Sequence, residues 1–116
     1  MFSEKYIQNQ CIDYLDLLER RNLVYGARTQ VIRTKTIRRD GSQGYLKTGK
    51  VGLPDWTGCV APYGQFVGIE FKTDKGKQSE HQKLAQARIE AVGGKYIIVR
   101  SINELVQKLD EIMKPD

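Results

Sequence analysis

Two acidic residues and a lysine mark the ends of two apolar runs within residues 52–72. Asp55 precedes the first run, and Glu70 and Lys72 end the second. Carboxylates bind hard divalent cations, and a neighbouring ammonium can orient or deprotonate a water or stabilise negative charge on a phosphate. Two acids and one lysine therefore suit metal-dependent hydrolysis of a phosphodiester.

The segment Ala61-Pro62-Tyr63-Gly64 separates the two runs and has proline second and glycine fourth, the preferred residues of a type I β-turn. We therefore expect strands on both sides of it. Closing the loop with Ala61 opposite Phe66 predicts a core face of cross-strand pairs. The predicted pairs are Trp56 with Phe71, Gly58 with Ile69 and Val60 with Val67.

The other face of this predicted hairpin collects the charged residues. Alternation along each strand places Asp55 opposite Lys72 and Thr57 opposite Glu70, so the two acids are diagonal neighbours about 7 to 8 Å apart. Side chains that lean inward from there can share one cation. The alternative is an ordinary Asp55–Lys72 ion pair on a solvated face. Pro54-Asp55, the hairpin parity and the Glu-x-Lys motif together favour the metal site.

From the length of 116 residues we expect one domain, residues 1–116, large enough to bury a core but with no room for a second module. No stretch approaches the ~18 apolar residues of a membrane helix, and the N-terminal residues lack a signal-peptide core. We therefore expect a cytoplasmic protein without a membrane partner. Cys11 and Cys59 lie in apolar patterns with no Cys-x-x-Cys motif, which predicts reduced core cysteines rather than zinc ligands or disulfides.

Positive charge is concentrated in residues 28–50, while the whole chain carries a net charge of +5. A polar, glycine-punctuated basic segment suits the phosphates of a nucleic acid. A merely soluble loop is the alternative, but the segment leads directly into the candidate site, which favours nucleic acid. Against one acid, Asp40, the segment holds Arg28, Arg33, Lys35, Arg38, Arg39, Lys47 and Lys50.

Periodicity and capping signals predict the remaining elements. The expected order is helix, strand, strand, strand, helix, strand, helix, which defines an α/β sandwich around a mixed sheet. We expect a first helix from Ser3 to near Asn22, a strand over 24–38 bent at Gly26, a loop or loose hairpin over 39–51, a helix from Ser79 through Val92, a strand over 95–100 buried on both faces, and a last helix capped by Ser101 and Glu104.

The second helix has two further expected features. Ser79 and Gln82 have the spacing of a capping box. Leu84 and Val92 lie at helical spacing with small residues nearby, which predicts close approach of that face to the sheet.

Pro54-Asp55 followed by Glu70-Phe71-Lys72 resembles the PD-(D/E)XK nuclease signature. Within that superfamily the chain is most similar to the VRR-NUC family, and the match spans nearly the whole chain. The resemblance implies a restriction-endonuclease-like α-β-β-β-α-β core. The matching motifs are Gly52-x-Pro54-Asp55, Phe66-Val67-Gly68-Ile69-Glu70-Phe71-Lys72, Gly76-Lys77-Gln78-Ser79, Gln82 and Gly93-Gly94-x-Tyr96.

The resemblance implies a Mg²⁺- or Mn²⁺-dependent endonuclease acting on DNA. In addition to their implied roles, Glu4 and Gln82 have ordinary structural explanations, as a partner of the helix dipole and as part of a capping box. The implied roles are metal binding by Asp55, Glu70 and the Phe71 carbonyl with Glu4 assisting directly or through water, positioning of the attacking water by Lys72, and orientation of Lys72 by Gln82.

Stand-alone VRR-NUC proteins resemble junction-cleaving phage enzymes that pair as dimers, which implies a branched or Holliday-junction-like DNA substrate and a homodimer. The alternative is a non-catalytic nucleic-acid-binding accessory protein in which the acids are structural. Such a protein would bind DNA without metal-dependent cleavage. The residues predicted to contact DNA are Arg33, Lys35, Arg38, Arg39, Lys47 and Lys50, with Lys75 and Lys77 in the linker after Lys72.

Overall fold

The computed structural model describes residues 2–29, 32–37, 39–48 and 52–115. Apart from one inserted pair of strands, β2 and β3, the elements follow the predicted α-β-β-β-α-β order and end in a third helix. They are α1 (Glu4–Arg20), β1 (Val24–Arg28), β2 (Ile32–Ile37), β3 (Gln43–Thr48), β4 (Trp56–Val60), β5 (Gln65–Phe71), α2 (Glu80–Ala91), β6 (Lys95–Val99) and α3 (Ile102–Ile112).

Four strands form a mixed sheet in the order β1-β4-β5-β6. The first two pairings are antiparallel, and β6 runs parallel to β5 after the crossover through α2. Helices α1 and α3 pack on the face of the sheet that carries Val67, Ile69 and Phe71. Helix α2 contacts β6 and contributes no residue to that core. The predicted α/β class with a mixed sheet flanked by helices is confirmed.

The core is built by one apolar stripe from each of α1 and α3 and by the inward face of the sheet. Ser3 begins α1 as predicted, because its hydroxyl accepts the Tyr6 N–H at 3.1 Å. Burying these side chains removes their apolar surface from water, which is the main force that holds the layers together. The buried residues include Ile7, Cys11, Leu15, Leu18, Val24, Trp56, Val60, Val67, Ile69, Phe71, Val99, Leu105 and Leu109.

The β4–β5 hairpin differs from its predicted register by two positions. The strands pair as far as Val60 with Gln65, so all four residues 61–64 form the loop, and Trp56 lies opposite Ile69 rather than Phe71. Because side chains alternate with a period of two, a shift of two positions leaves every side chain on its predicted face, and the predicted core face is retained. One step beyond the Trp56–Ile69 pair, the chain reaches Asp55 on one side and Glu70 on the other.

The single strand predicted over 24–38 is two strands in different sheets. Strand β1 pairs with β4, whereas β2 forms a separate sheet with β3, all of which lies within the segment 39–51 expected as a loop or loose hairpin. The reversal between β2 and β3 includes the Asp40 carboxylate, which accepts the Ser42 N–H at 2.8 Å and the Ser42 hydroxyl at 2.6 Å. Gly41 adopts φ 86°, a backbone angle that favours glycine.

Three smaller expectations are wrong. Helix α2 buries no residue, and Leu84 and Val92 are 54% and 88% exposed, so that face does not pack on the sheet. Strand β6 is an edge strand, and its Ile97 and Ile98 are only half-buried. Cys59 is exposed, whereas Cys11 lies in the core. The exposure of the Cys59 thiol follows from alternation, because Cys59 lies on the face of β4 opposite to that of the buried Val60.

Candidate active site

Asp55 is fixed on both its backbone and its side chain. Its carbonyl accepts the Thr29 N–H at 2.8 Å, and its Oδ2 accepts the Phe71 N–H at 2.8 Å. Pro54 packs directly over Gly68, where any Cβ would overlap the proline ring. The Pro-Asp motif is therefore locked against β5 at the level of Glu70.

The bond from Phe71 also sets the direction of its carbonyl. The N–H and C=O of one strand residue point to the same side of the strand. Since the Phe71 N–H points to Asp55, the Phe71 carbonyl points to that side of β5 as well. A backbone oxygen therefore accompanies the carboxylates on this side.

Glu70 is the one buried charged residue in the described part of the chain, with 2% of its surface exposed. Burial raises the pKa of its carboxyl to about 8, and the hydrogen bond and charge of Asp55 act in the same direction. The ammonium of Lys72 and the hydroxyl of Tyr96 lower the same pKa, but they do not offset the burial. Ionising both adjacent carboxyls is therefore unfavourable unless a further positive charge lies beside them.

Lys72 follows Glu70 on the same face at the end of β5. Its Nζ lies 3.9 Å from Glu70 Oε2, beyond direct hydrogen-bond distance, and its side chain is 13% exposed. Its backbone N–H donates to the Val99 carbonyl at 3.0 Å and continues the pairing with β6. The Lys72 ammonium therefore lies near the two carboxyls without a direct hydrogen bond to Glu70, and it can still donate to another group.

The loop that follows Lys72 is held by Arg100, the first residue after β6. The Arg100 Nη1 donates to the carbonyls of Thr73 at 2.5 Å, Gly76 at 2.8 Å and Asp74 at 3.4 Å. One guanidinium nitrogen thus gathers the carbonyls of a turn that has few other backbone bonds. The direction in which the chain leaves the candidate site is fixed by this contact.

Tyr96 and Gln78 also belong to the site, although they were not predicted as site residues. The buried Tyr96 hydroxyl donates to Glu70 Oε1 at 3.4 Å. Burial raises the pKa of Tyr96 to about 12, and a hydrogen bond with Gln78 acts in the opposite direction. Gln78 in turn donates to Gln86 of α2 at 2.9 Å. Both residues lie in the quoted motifs, but only the parallel β5–β6 register brings Tyr96 to Glu70.

Gln82 forms the predicted capping box. Its Oε1 accepts the Ser79 N–H at 2.9 Å, and its own N–H donates to the Ser79 hydroxyl at 3.2 Å. Across the residues that the structure describes, no hydrogen bond joins Gln82 to Lys72. The orienting role assigned to Gln82 stays a prediction.

Glu4 lies exposed in the first turn of α1. Within the described ranges, no three His, Cys, Asp or Glu side chains gather where they could hold a metal. The structure thus brings Asp55 and Glu70 together without adding Glu4 to them. Its role as a metal ligand also stays a prediction.

The predicted DNA-binding residues fall in three places. Arg33, Lys35 and Lys47 lie on β2 and β3, and Arg39 is exposed in the turn between them. Arg38 and Lys50 lie outside the described residues. Lys75 and Lys77 are exposed in the loop after Lys72, so basic residues adjoin the acid pair.

Compared with known proteins, the chain matches no family model and no curated protein sequence at a significant level. None of the described helices is both long and apolar enough to cross a membrane.

Proposed function

We propose that this protein is a Mg²⁺- or Mn²⁺-dependent endonuclease of the VRR-NUC type that hydrolyses DNA phosphodiester bonds. The observation that carries the proposal is the convergence of Asp55 and Glu70 at the ends of two paired strands, with Lys72 beside them. The family assignment rests on the motif residues in the sequence. The geometry supports it because Asp55, Glu70, Lys72 and Tyr96, which come from three of those motifs, lie close together.

The residues present fit a divalent cation. Among the described residues, the only ion pair of either carboxyl is the long contact between Glu70 and Lys72. A bound cation would counter the repulsion from Asp55 and offset the cost of ionising the buried Glu70 carboxyl, which together raise its pKa. Mg²⁺ is commonly held by one or two carboxylates, with waters and substrate phosphates completing its shell. Asp55, Glu70 and the Phe71 carbonyl are therefore a sufficient protein contribution.

A bound divalent cation would polarise the phosphate and make water a stronger nucleophile. The protein's own residues supply position and charge. Asp55 is held by the Phe71 N–H, and Glu70 is held by Tyr96, so each carboxylate is oriented before substrate arrives. The Lys72 ammonium can orient the attacking water and stabilise charge on the phosphate. Low exposure of Glu70 and Lys72 strengthens these electrostatic interactions.

The substrate we propose is branched DNA, with a Holliday-like junction as the leading candidate, and the active form a homodimer. Each chain offers one acid pair, so paired incisions across a junction need two copies. A two-fold symmetric dimer would present two equivalent sites to two equivalent strands. The net charge of +5 supports binding to any of these polyanions.

The test is a cleavage panel of single strand, duplex, nicked, flap, fork and four-way-junction DNA. Each substrate is incubated with Mg²⁺, Mn²⁺ or EDTA, and Glu70→Gln serves as the matched inactive variant. We expect metal-dependent incision of branched substrates by the wild type alone. Binding to all of these DNAs without incision in any metal would overturn the endonuclease and favour the accessory DNA-binding protein.

A further inference from the structure

The β2–β3 ribbon, defined as residues 32–37 and 43–48, forms its own two-stranded sheet. Within the described part of the chain, the two strands contact each other extensively, and no helix or other strand packs on them to a similar extent. The radius of gyration is 16.4 Å, against about 13 Å for a compact domain of this length. The ribbon therefore extends from the body.

A two-stranded ribbon without a packing partner is marginally stable in water. The register adds to this problem, because Arg33 lies directly opposite Lys47, and like charges in opposite positions are destabilising. Neither strand contains an acidic residue that could compensate. Among the described elements, none packs extensively on the ribbon and neither of its strands carries an acid, so a polyanion would supply the missing counter-charge.

Alternation places the basic residues of the ribbon on one face. Positions 33, 35, 45 and 47 share that face, because Arg33 pairs with Lys47 and Lys35 pairs with Tyr45. Each strand has six residues, and at about 3.3 Å per residue the ribbon is about 20 Å long. Two strands lie about 4.8 Å apart, whereas the major groove of DNA is about 12 Å wide and admits a two-stranded ribbon.

We propose that the β2–β3 ribbon is an arm that enters the major groove of duplex DNA with this basic face toward the phosphates. The inference deepens the proposed function, from which it takes DNA as the partner, but it does not depend on cleavage. A second copy of the chain is a poorer occupant, because it presents the same basic ribbon and the same net charge of +5.

The first experiment compares two triple variants with equal loss of charge. Arg33→Gln, Lys35→Gln and Lys47→Gln neutralise the ribbon, whereas Arg20→Gln, Arg21→Gln and Lys114→Gln neutralise exposed positions on the body. Fluorescence anisotropy with a labelled duplex and a four-way junction measures affinity from low to moderate salt, in a Glu70→Gln background that prevents incision. The ribbon variant should reduce the log–log salt slope by up to about 2.7 units, and the body variant by much less.

The second experiment tests whether the ribbon occupies the major groove. Dimethyl sulfate methylates guanine N7, an acceptor that faces the major groove. Binding of the body variant should protect guanine N7 atoms of the duplex from methylation. The ribbon variant should not protect them, even at a protein concentration that gives the same occupancy of the duplex. Unchanged protection, or equal loss of salt slope in both variants, would overturn the arm. So would a dimer, seen by sedimentation, that the ribbon variant dissociates without any change in DNA affinity.

A folding defect would not imitate the expected result. Circular dichroism and thermal melting of each triple variant identify loss of the body, and a ribbon variant that melts like the wild type but loses groove protection supports the arm. Absence of cleavage by the wild type would sink the proposed endonuclease while leaving these binding results intact.

Discussion

The Tyr96 hydroxyl reaches across from the parallel edge strand and donates to Glu70 Oε1 at 3.4 Å. Gln78 lowers the pKa of the same hydroxyl, so the carboxylate, the phenol and the amide act on one another. A carboxylate oriented in this way has its other oxygen, Oε2, on the side of Lys72. Partners that orient a metal ligand affect metal affinity although they do not touch the metal.

Replacing Tyr96 with phenylalanine should therefore weaken metal binding while preserving the fold. Loss of such an orienting partner typically costs about 10- to 100-fold in affinity or activity. Calorimetric titration with Mg²⁺ or Mn²⁺ measures the change, and Tyr25→Phe at a 78% exposed position is the matched control. A lower melting temperature with unchanged metal affinity would give Tyr96 a purely structural role.

Glu70→Gln and Asp55→Asn should each abolish metal binding and cleavage. Both substitutions keep the shape of the side chain and remove a ligand charge. In EDTA above pH 8, where Glu70 is ionised, we expect Glu70→Gln to melt at a higher temperature than the wild type, because a buried amide avoids the repulsion between adjacent carboxylates. Glu111→Gln on the exposed side of α3 is the control. Turnover near the wild-type value in either site variant would refute the assigned site.

Lys72→Ala should separate chemistry from metal binding. The ammonium lies 3.9 Å from Glu70 Oε2 and is assigned to the water and the phosphate rather than to the cation. Turnover should fall by about 10²-fold or more, while calorimetry shows metal affinity close to that of the wild type. Lys114→Ala is a control for loss of one positive charge. Metal affinity lost as completely as in Asp55→Asn would show that the role given to the lysine is wrong.

The metal-free protein should lose stability as the pH rises from about 5 to above 8. The folded pKa of Glu70, raised to about 8, exceeds its unfolded value of about 4.3. Between these two pKa values the folded state binds one more proton than the unfolded state. The stabilisation that this proton gives is therefore complete below the unfolded pKa and is lost as the pH rises through the folded pKa. Denaturant titrations in EDTA should show this slope in the wild type. Glu70→Gln should lack the Glu70 contribution, and parallel pH profiles of the two proteins would contradict the assignment.

The parity of the hairpin could be predicted from alternation alone, because a strand that buries Trp56 must turn Asp55 to the other face. The register could not, since a loop over residues 61–64 and a loop over residues 62–65 both have four residues and put the same side chains on the core face. The difference matters, because the observed pairing leads Asp55 and Glu70 to the same level. Turn chemistry alone did not fix which residues begin the ladder.

Long-range contacts account for the other surprises. Helix α2 has an apolar spacing that predicts burial, but Leu84 and Val92 are 54% and 88% exposed, whereas Ile89 on another side of the helix lies against Gly94. Tyr96 reaches Glu70 only because β6 lies parallel to β5 in one register. Sheet order and register are properties of the assembled sheet, so local sequence patterns do not determine them.

The contact of Arg100 with the loop at 73–76 has a thermodynamic consequence. Fixing a residue's backbone costs about 1 to 2 kcal/mol of conformational entropy, and a loop that became ordered only on DNA would subtract this cost from the affinity. In the folded protein the carbonyls of Thr73, Asp74 and Gly76 already accept hydrogen bonds from Nη1 of Arg100, the residue that follows β6. The ordering of this loop is therefore part of folding, and if Lys75 and Lys77 contact DNA as proposed, the backbone that carries them is already ordered.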